Sequence, residues 1–218
     1  MLLTWTPSNG LQAVVALSPQ AWFRYGLGIT VTGAGVSTWA DQSGNGRDLL
    51  QGTDAARPTL QADGSILFDG VDNFLKTAAF TLNQPNTIYI LCKAITWTDV
   101  DFLYDGDTLN NSRLIQSGVT PDLAVGAGAD IALPGPTVGA YAIITAVRNS
   151  ASSSGRINSG AAVTGDAGLN NMDGFTLGTR GDLVGNFSNI QVKEVILFSG
   201  AHTDTQQSQI IYYLSRML

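Results

Sequence analysis

The stretch from Val36 to Leu75 reads VSTWADQSGNGRDLLQGTDAARPTLQADGSILFDGVDNFL and decides the fold. It contains two turn sequences, SGNG and FDG, each placed between short apolar runs. Gly44, Gly46 and Gly70 in these turns can adopt the positive φ angles that tight turns between antiparallel strands require. The stretch therefore predicts connected antiparallel strands, as in a β-sandwich.

Short candidate strands separated by turn residues recur along the rest of the chain. Residues 87–94 (TIYILCKA) and 140–148 (AYAIITAVR) are almost continuously apolar, which is typical of central strands covered on both faces. Residues 189–198 (NIQVKEVILF) alternate instead, with a β-bulge predicted near Glu194. The inner face of this strand is predicted to carry Ile190, Val192, Val195 and Leu197.

Only one helix is predicted, over residues 203–217 at the carboxyl end. Thr203 can cap it, Gln206 completes a capping box, and Ile210 and Leu214 follow at helical spacing. Residues 1–16 are predicted to form a docking arm or an edge strand. Because 218 residues suit one large sandwich and no internal repeat is present, residues 1–218 are expected to form a single domain.

Composition excludes several classes of partner. The formal charge of −6 and the 11 Lys and Arg residues oppose nucleic-acid binding, which needs clustered positive charge. The sequence contains no apolar run of the ~18 residues that a membrane helix needs, and its first residues lack the basic start of a secretory signal. We expect no membrane partner, no signal peptide, and a buried, inert thiol at Cys92.

Residues 98–111 (TDVDFLYDGDTLNN) concentrate the oxygen ligands that calcium prefers. The candidate ligands are Asp99, Asp101, Asp105 and Asp107. The alternative is ordinary turn chemistry, in which each side chain caps its own backbone. A sugar site beside this loop would combine aromatic faces with amides, and its candidate residues are Trp97, Tyr104, Asn110 and Asn111. The two aromatic residues are equally credible as core.

A second group of residues is predicted to build the scaffold. Short polar side chains in turns usually satisfy backbone groups instead of binding ligands. This group comprises Trp39, Asp41, Asn45, Gly46, Phe68, Asp69 and Gly70. No catalytic residue is predicted, because Glu194 is the only glutamate and no strong strand holds a pair of acids. His202 lies in the turn before the final helix without a predicted serine or cysteine partner, which argues against a catalytic triad.

Five blocks in fixed order resemble the concanavalin A-like lectin and laminin G-like jelly-roll modules of bacterial surface proteins and phage virion proteins. The blocks are ALSPQAW, VSTWADQSGNGRDL, RPTL, ILFDGVDNFL and VKEVILFSGAHTDTQQSQIIYYL. The match spans residues 17–214 and implies an all-β, two-sheet antiparallel jelly-roll sandwich with one short carboxyl-terminal helix. The chain departs from the pattern at residues 22–25 (WFRY), where such modules usually have a leucine-aspartate pair.

The resemblance leads to a functional expectation. The chain is predicted to be a non-enzymatic interaction module of a phage virion, decorating the capsid or associated with the tail, and assembled in the host cytoplasm. Its expected partners are other virion subunits or further copies in a homo-oligomer, with host-surface glycans as an additional ligand. The alternative is a calcium-assisted carbohydrate-binding lectin, and the third candidate is a glycoside hydrolase.

Overall fold

Two antiparallel sheets packed face to face form the body of the protein, in a computed structural model that describes residues 7–218. The first strands are β1 (Ala21–Phe23), β2 (Ile29–Thr32), β3 (Gly35–Trp39), β4 (Leu49–Leu50), β5 (Thr59–Leu60), β6 (Ile66–Asp69), β7 (Leu75–Lys76), β8 (Asn86–Ala94) and β9 (Phe102–Asp105). The later strands are β10 (Arg113–Ser117), β11 (Asp122–Gly126), β12 (Asp130–Pro134), β13 (Ala142–Arg148), β14 (Ser153–Ile157), β15 (Val163–Gly165), β16 (Thr176–Leu177) and β17 (Asn189–Ser199). The helices are α1 (Pro7–Ala16) and α2 (Asp204–Leu214), and single 3-10 turns cover Asp54–Ala56 and Ser215–Met217. The predicted all-β sandwich is confirmed.

Strands that are distant in sequence lie side by side in both sheets. The eight-stranded sheet has the order β15-β14-β13-β8-β17-β6-β5, and β1 also pairs with β17. The nine-stranded sheet has the order β12-β11-β10-β9-β16-β7-β4-β3-β2. β8 pairs with β13 on one side and β17 on the other, and every residue of β13 is buried. The two apolar runs are therefore central strands, as predicted.

Strand β17 contains a β-bulge, which changes how its side chains alternate between the two faces of the sheet. The pairing of β17 with β8 shifts register between Val192 and Glu194, where the sequence predicted an irregularity. An extra residue at a bulge opposes no partner and redirects the side chains that follow it. Ile190, Val192 and Val195 all lie in the core between the sheets, which confirms the predicted inner face. The extra residue, Lys193, is half-buried.

Two apolar clusters hold the fold together. The main cluster fills the space between the sheets, where Phe23 packs against Trp39 and Phe175 with ring centroids 5.8 and 6.2 Å apart. The second cluster lies on the outer face of the eight-stranded sheet, under Ile210 and Leu214 of α2. Buried rings of this size dominate core energetics. No helix within residues 7–218 has the length and apolar character needed to cross a membrane.

Helix α2 begins as the sequence predicts. The Thr203 hydroxyl accepts a hydrogen bond from the Gln206 amide, and the Gln206 side chain accepts one from the Thr203 amide, which completes the capping box. These two bonds satisfy backbone groups that a helix start otherwise leaves unpaired. The predicted carboxyl-terminal helix is confirmed, and its last turn, Ser215–Met217, is of the 3-10 type.

Helix α1 was not predicted. The edge strand expected within residues 1–16 is wrong over the described part of that segment, because residues 7–16 are helical; residues 1–6 lie outside the described part. The apolar run that ends at Leu17 is too short to distinguish a strand from a helix by its period. Gly10 and Val14, one helical turn apart, are both buried, and Gly10 packs closely against Tyr213 of α2. The missing Cβ of glycine permits this close approach.

Candidate functional site

The SGNG turn is organised around one carboxylate. Asp41 accepts hydrogen bonds from the backbone amides of Trp22 (2.8 Å), Ser43 (2.8 Å) and Arg47 (3.1 Å), and from the Ser43 hydroxyl (2.8 Å). The Asn45 amide donates to the carbonyl of Gln20 at 3.1 Å. These bonds connect the turn to the start of β1, so the polar side chains are occupied by the scaffold.

The remaining residues predicted to build the scaffold are buried in the core or lie in turns. Trp39 is completely buried and its indole donates to the Arg24 carbonyl at 3.0 Å, while Phe68 is buried in the main core. Asp69 accepts a hydrogen bond from the Val71 amide at 2.9 Å. Gly46 and Gly70 have φ angles of 70° and 77°, in the region that glycine adopts without strain.

The four aspartates predicted to bind calcium lie in different surroundings. Asp99 accepts a hydrogen bond from the Gly118 amide at 2.7 Å, and Asp107 is ion-paired with Lys76. Asp101 is buried, and its burial raises its pKa to about 6. Asp105 is completely buried, its pKa is raised by burial, and it accepts hydrogen bonds from the backbone amides of Gly106, Asn110, Ser112 and Gly181.

This arrangement does not support the predicted calcium loop. Within residues 7–218, no group of three or more His, Cys, Asp or Glu side chains is placed to hold a metal ion. The physical reason is that the carboxylate oxygens of Asp99 and Asp105 are already used by backbone amides, and that of Asp107 by a lysine. Ordinary turn chemistry, the alternative that the sequence left open, describes the loop.

The predicted sugar-binding residues are not brought together on a free surface either. Tyr104 is completely buried between the sheets, and its hydroxyl accepts a hydrogen bond from the guanidinium of Arg148, which is also completely buried. Trp97 packs against the main core, and its indole donates to the Gly118 carbonyl at 3.2 Å. The Asn110 amide is bound by Asp105, and the Asn111 side chain donates to Asp173 at 3.0 Å. The prediction for Tyr104 is wrong, because an aromatic residue in the core cannot stack on a sugar.

A different cluster of polar and aromatic side chains lies on the outer face of the eight-stranded sheet. We call it the tyrosine patch, and it consists of Tyr25, Asp63, Lys93, Tyr141, Gln191 and Lys193. Gln191 of β17 lies directly opposite Lys93 of β8, and Tyr141 immediately precedes β13 on the other side of β8. Asp63 belongs to the turn between β5 and β6, and the β17 bulge adds Lys193. Five separate chain segments therefore meet here.

Hydrogen bonds connect the patch around Tyr141. The Tyr141 hydroxyl lies 3.1 Å from a carboxylate oxygen of Asp63 and 3.3 Å from the side-chain oxygen of Gln191, and it can donate to either. The Tyr25 hydroxyl donates to the backbone carbonyl of Asp63. Asp63 is exposed, while both tyrosines are only half-buried. The patch thus places two aromatic rings, a carboxylate and an amide at the surface.

Two ammonium groups lie against the Tyr141 ring. The Nζ atom of Lys193 is 3.9 Å from the ring centroid and that of Lys93 is 4.8 Å from it, both within the range of cation–π attraction. Lys193 also donates to the carbonyl of Met217 at 2.6 Å. A hydrogen bond from Ser65, with further contributions from Tyr141 and Lys193, lowers the pKa of Asp63. Burial raises the pKa of Tyr141 to about 12, so it stays a neutral phenol near pH 7.

Glu194, the only glutamate of the chain, lies beneath the patch. It is 1% exposed, and it accepts hydrogen bonds from the Trp22 indole at 2.7 Å and from the Tyr25 amide at 3.2 Å. Burial raises its pKa, which the hydrogen bonds from Trp22 and Tyr213 partly oppose. Asp63 and Glu194 both contact Tyr25, and their pKa values are shifted in opposite directions.

Solved structures of glycoside hydrolases are similar to this fold. An arabinofuranosidase complexed with arabinofuranosyl-α-1,2-xylobiose matches with a TM-score of 0.62 and 15% identity, over 84% of this chain and 51% of that one. A Trypanosoma rangeli sialidase in complex with sialic acid matches with a TM-score of 0.65 and 9% identity, over 96% of this chain and 38% of that one. No family model matches the chain, and no curated protein matches it.

These neighbours correct the functional expectation. The prediction of a non-enzymatic phage virion module is contradicted, since the similar structures are glycoside hydrolases. The prediction that the chain is not an enzyme is contradicted for the same reason. At identities of 9–15% the likeness establishes the fold, which can support many functions. The chain spans about half the length of the arabinofuranosidase and little more than a third of the sialidase.

A groove along α2 is one of several concave features of the described surface. It encloses about 460 Å³ and is lined by Asp204, Thr205, Ser208, Gln209 and Tyr212. Its carboxylate is already engaged, because Asp204 is paired with Arg156 at 2.5 Å. The Tyr212 hydroxyl accepts a hydrogen bond from Arg216. The groove has one aromatic ring where the tyrosine patch has two, so the patch is the stronger candidate for a sugar.

Sequence reasoning missed every residue of the tyrosine patch. The available signals were weak: Lys93 stands near the end of one apolar central strand and Tyr141 at the start of another. A polar residue at the end of a buried strand indicates that the strand emerges from the core there. Neither signal says that the two residues become neighbours.

Proposed function

We propose that this chain is a carbohydrate-active β-sandwich domain that binds glycans through the tyrosine patch. The observation that carries the proposal is the grouping of Tyr25 and Tyr141 with Asp63 and Gln191 on a solvent-facing surface. Aromatic rings stack on the apolar faces of sugars, and carboxylate and amide groups bind sugar hydroxyls. The similarity in fold to an arabinofuranosidase and a sialidase supports glycans as the ligand class.

Replacing Tyr141 with Ala is expected to weaken glycan binding about tenfold, which corresponds to ~1.4 kcal/mol of lost stacking and hydrogen bonding. The measurement is a glycan array with the whole chain, followed by calorimetric titration of the best ligand. Tyr25→Ala should act in the same direction, while Tyr141→Phe keeps the ring and should lose less. Binding should persist when a chelator is present, because the positive charges of the patch come from lysines and not from a metal ion.

Tyr212→Ala is the matched control, because it removes one half-buried tyrosine from the groove along α2. Its binding should equal that of the unchanged chain. If Tyr212→Ala abolishes binding while Tyr141→Ala does not, the groove is the site and the patch proposal is wrong. An array without any saturable ligand would contradict the proposed function itself.

Glycoside hydrolysis is the second candidate function, and it depends on Asp63 and Glu194. Two carboxyl groups whose surroundings shift their pKa values apart are the pattern by which glycosidases assign an ionised base or nucleophile and a protonated acid. Here Asp63 is the group that stays ionised, and buried Glu194 is the group that holds its proton to higher pH. In this candidate, substrate binding must expose Glu194, which Trp22 and Tyr25 cover.

Asp63→Asn and Glu194→Gln are each expected to reduce turnover at least about a hundredfold if the chain hydrolyses glycosides. The assay follows release of nitrophenol from a panel of 4-nitrophenyl glycosides. Asp69→Asn is the control, because Asp69 is an exposed carboxylate in a turn. Turnover that survives both substitutions would remove these residues from the mechanism, and a panel without turnover would leave binding as the function.

A further inference from the structure

Some of the basic residues of this acidic chain are paired with neighbouring carboxylates, and others are not. The chain has 11 Lys and Arg residues and a net charge of −6. Five basic side chains form ion pairs within residues 7–218, and they are Arg57, Lys76, Arg113, Arg156 and Arg180. Lys93 and Lys193 are not in such a pair in the described part of the chain. They are two of the three lysines of the chain, and the third, Lys76, is paired with Asp107.

The two unpaired cations are held at the same place. Both approach the Tyr141 ring, at 3.9 Å for Lys193 and 4.8 Å for Lys93. Two ammonium groups near one ring repel each other, and this repulsion lowers stability unless something compensates for it. The cation–π contacts and the hydrogen bond from Lys193 to Met217 supply part of the compensation. An anionic ligand would supply the rest.

The anionic groups nearby compensate only in part for the repulsion between the two ammonium groups, since Asp63 and Lys193 attract each other without forming an ion pair. Asp63 lies at the hydroxyl end of Tyr141, where it accepts a hydrogen bond from that hydroxyl. Glu194 is buried under Trp22 and Tyr25. Neither forms an ion pair with Lys93 or Lys193 in the structure as described, so both ammonium groups keep donors for an incoming group.

We infer that the tyrosine patch selects glycans that carry a carboxylate, and that Lys93 and Lys193 bind this carboxylate. The inference rests on the proposed function and narrows its ligand class to acidic sugars. In this arrangement the sugar ring contacts Tyr25 and Tyr141, and its carboxylate lies between the two ammonium groups. Attraction between opposite charges at a partly desolvated site adds affinity and selects the charged sugar over a neutral one of the same shape.

The test compares ligands that differ only in charge, using the whole chain. The probes are a galacturonic acid oligomer and sialyllactose, each compared with its own methyl ester. The acid of at least one pair should bind about tenfold more tightly than its neutral partner, and raising the salt concentration should reduce this preference. Lys93→Gln and Lys193→Gln should each lower the preference, because they reduce the affinity for the acid much more than the affinity for its neutral partner. Lys93→Arg should retain it, and Lys76→Gln, a lysine paired with Asp107, is the control.

The outcomes separate this inference from the proposed function. Equal affinity for acid and neutral partners, or loss of both in Lys93→Gln, overturns the inference. Neutral glycans that bind through Tyr141 without any acid preference leave the proposed function intact and refute only the role of the lysines. If no glycan of either kind binds, both proposals are wrong. A melting temperature near that of the unchanged chain establishes that each variant is folded.

Discussion

Asp41→Ala is expected to lower the free energy of unfolding by about 4 kcal/mol, the largest effect of any single change considered for this protein. The carboxylate accepts four hydrogen bonds, three of them from the backbone amides of Trp22, Ser43 and Arg47. Bonds to a charged acceptor are worth ~1.5–3 kcal/mol each, and amides left without a partner away from water add a further cost. Partial solvent access to this turn keeps the total below the simple sum. Denaturant unfolding followed by tryptophan fluorescence measures the change.

Two further variants identify the source of that effect. Asp41→Asn keeps one acceptor oxygen and should lose about half as much stability. Asp69→Ala removes an aspartate from the other turn, where the bonds from Val71, Asp72 and Asn73 are 2.9, 3.4 and 3.4 Å long and the first two are exposed. It should cost only about 1 kcal/mol. Equal losses of unfolding free energy in Asp41→Ala and Asp69→Ala would mean that the effect comes from turn conformation and not from backbone amides left without a partner.

Local sequence signals predicted the parts of the fold that local physics controls. The bulge in β17 follows from an alternation that breaks at Glu194, and the start of α2 follows from Thr203 and Gln206 alone. Helix α1 was missed because its apolar residues form one short run, and such a run has no visible period. Its stability comes from packing against α2, which sequence reasoning could not anticipate.

The candidate site could not be predicted, for a related reason. Tyr25, Asp63, Tyr141 and Gln191 come from separate parts of the chain. They become neighbours because β17 pairs with β1, β6 and β8, and β8 pairs with β13. The acidic loop attracted attention because its oxygen donors are close in sequence. Composition does not reveal that a carboxylate such as Asp105 is already occupied by its own backbone. Proximity in sequence therefore favoured the acidic loop, which the structure does not support as a site. The tyrosine patch was missed because its residues are distant in sequence.

His202 is expected to make the protein less stable as the pH falls from about 6.5 to about 4. Burial lowers the pKa of this imidazole to about 4 in the folded state, against about 6.5 in the unfolded chain. The Nδ1 atom of the ring lies within hydrogen-bond distance of the Tyr89 hydroxyl, at 2.9 Å, and the ring packs against Phe198 with centroids 4.5 Å apart. No carboxylate pairs with it among the described residues, so protonation places an unpaired charge in the second apolar cluster.

The sign of the pH effect follows from proton linkage. Since the folded pKa lies below the unfolded one, the stabilising contribution is fully present above pH 6.5 and is lost as the pH falls through 6.5 toward 4. The difference of about 2.5 between the folded and unfolded pKa values of His202 corresponds to about 3 kcal/mol of unfolding free energy. Asp101 works in the opposite direction, because its raised folded pKa of about 6 removes stability as the pH rises from about 4 to 6. Asp105 and Glu194, whose pKa values are also raised, act in the same direction as Asp101, while Asp63 and Asp173, whose pKa values are lowered, act in the same direction as His202. The expected pH profile is therefore the sum of opposing titrations.

Variants separate the two contributions. His202→Gln should flatten the loss of unfolding free energy between pH 6.5 and 4, whatever its stability at pH 7.5, and Asp101→Asn should make that loss steeper. Denaturant unfolding at pH 7.5, 6.5, 5.5 and 4.5 measures both slopes. If His202→Gln keeps the slope of the unchanged chain, the ring is already charged in the fold or remains accessible to water. The contact between Tyr89 and His202 would then not be one between a phenol and a neutral imidazole, since a protonated imidazole has no lone pair to accept the hydroxyl proton.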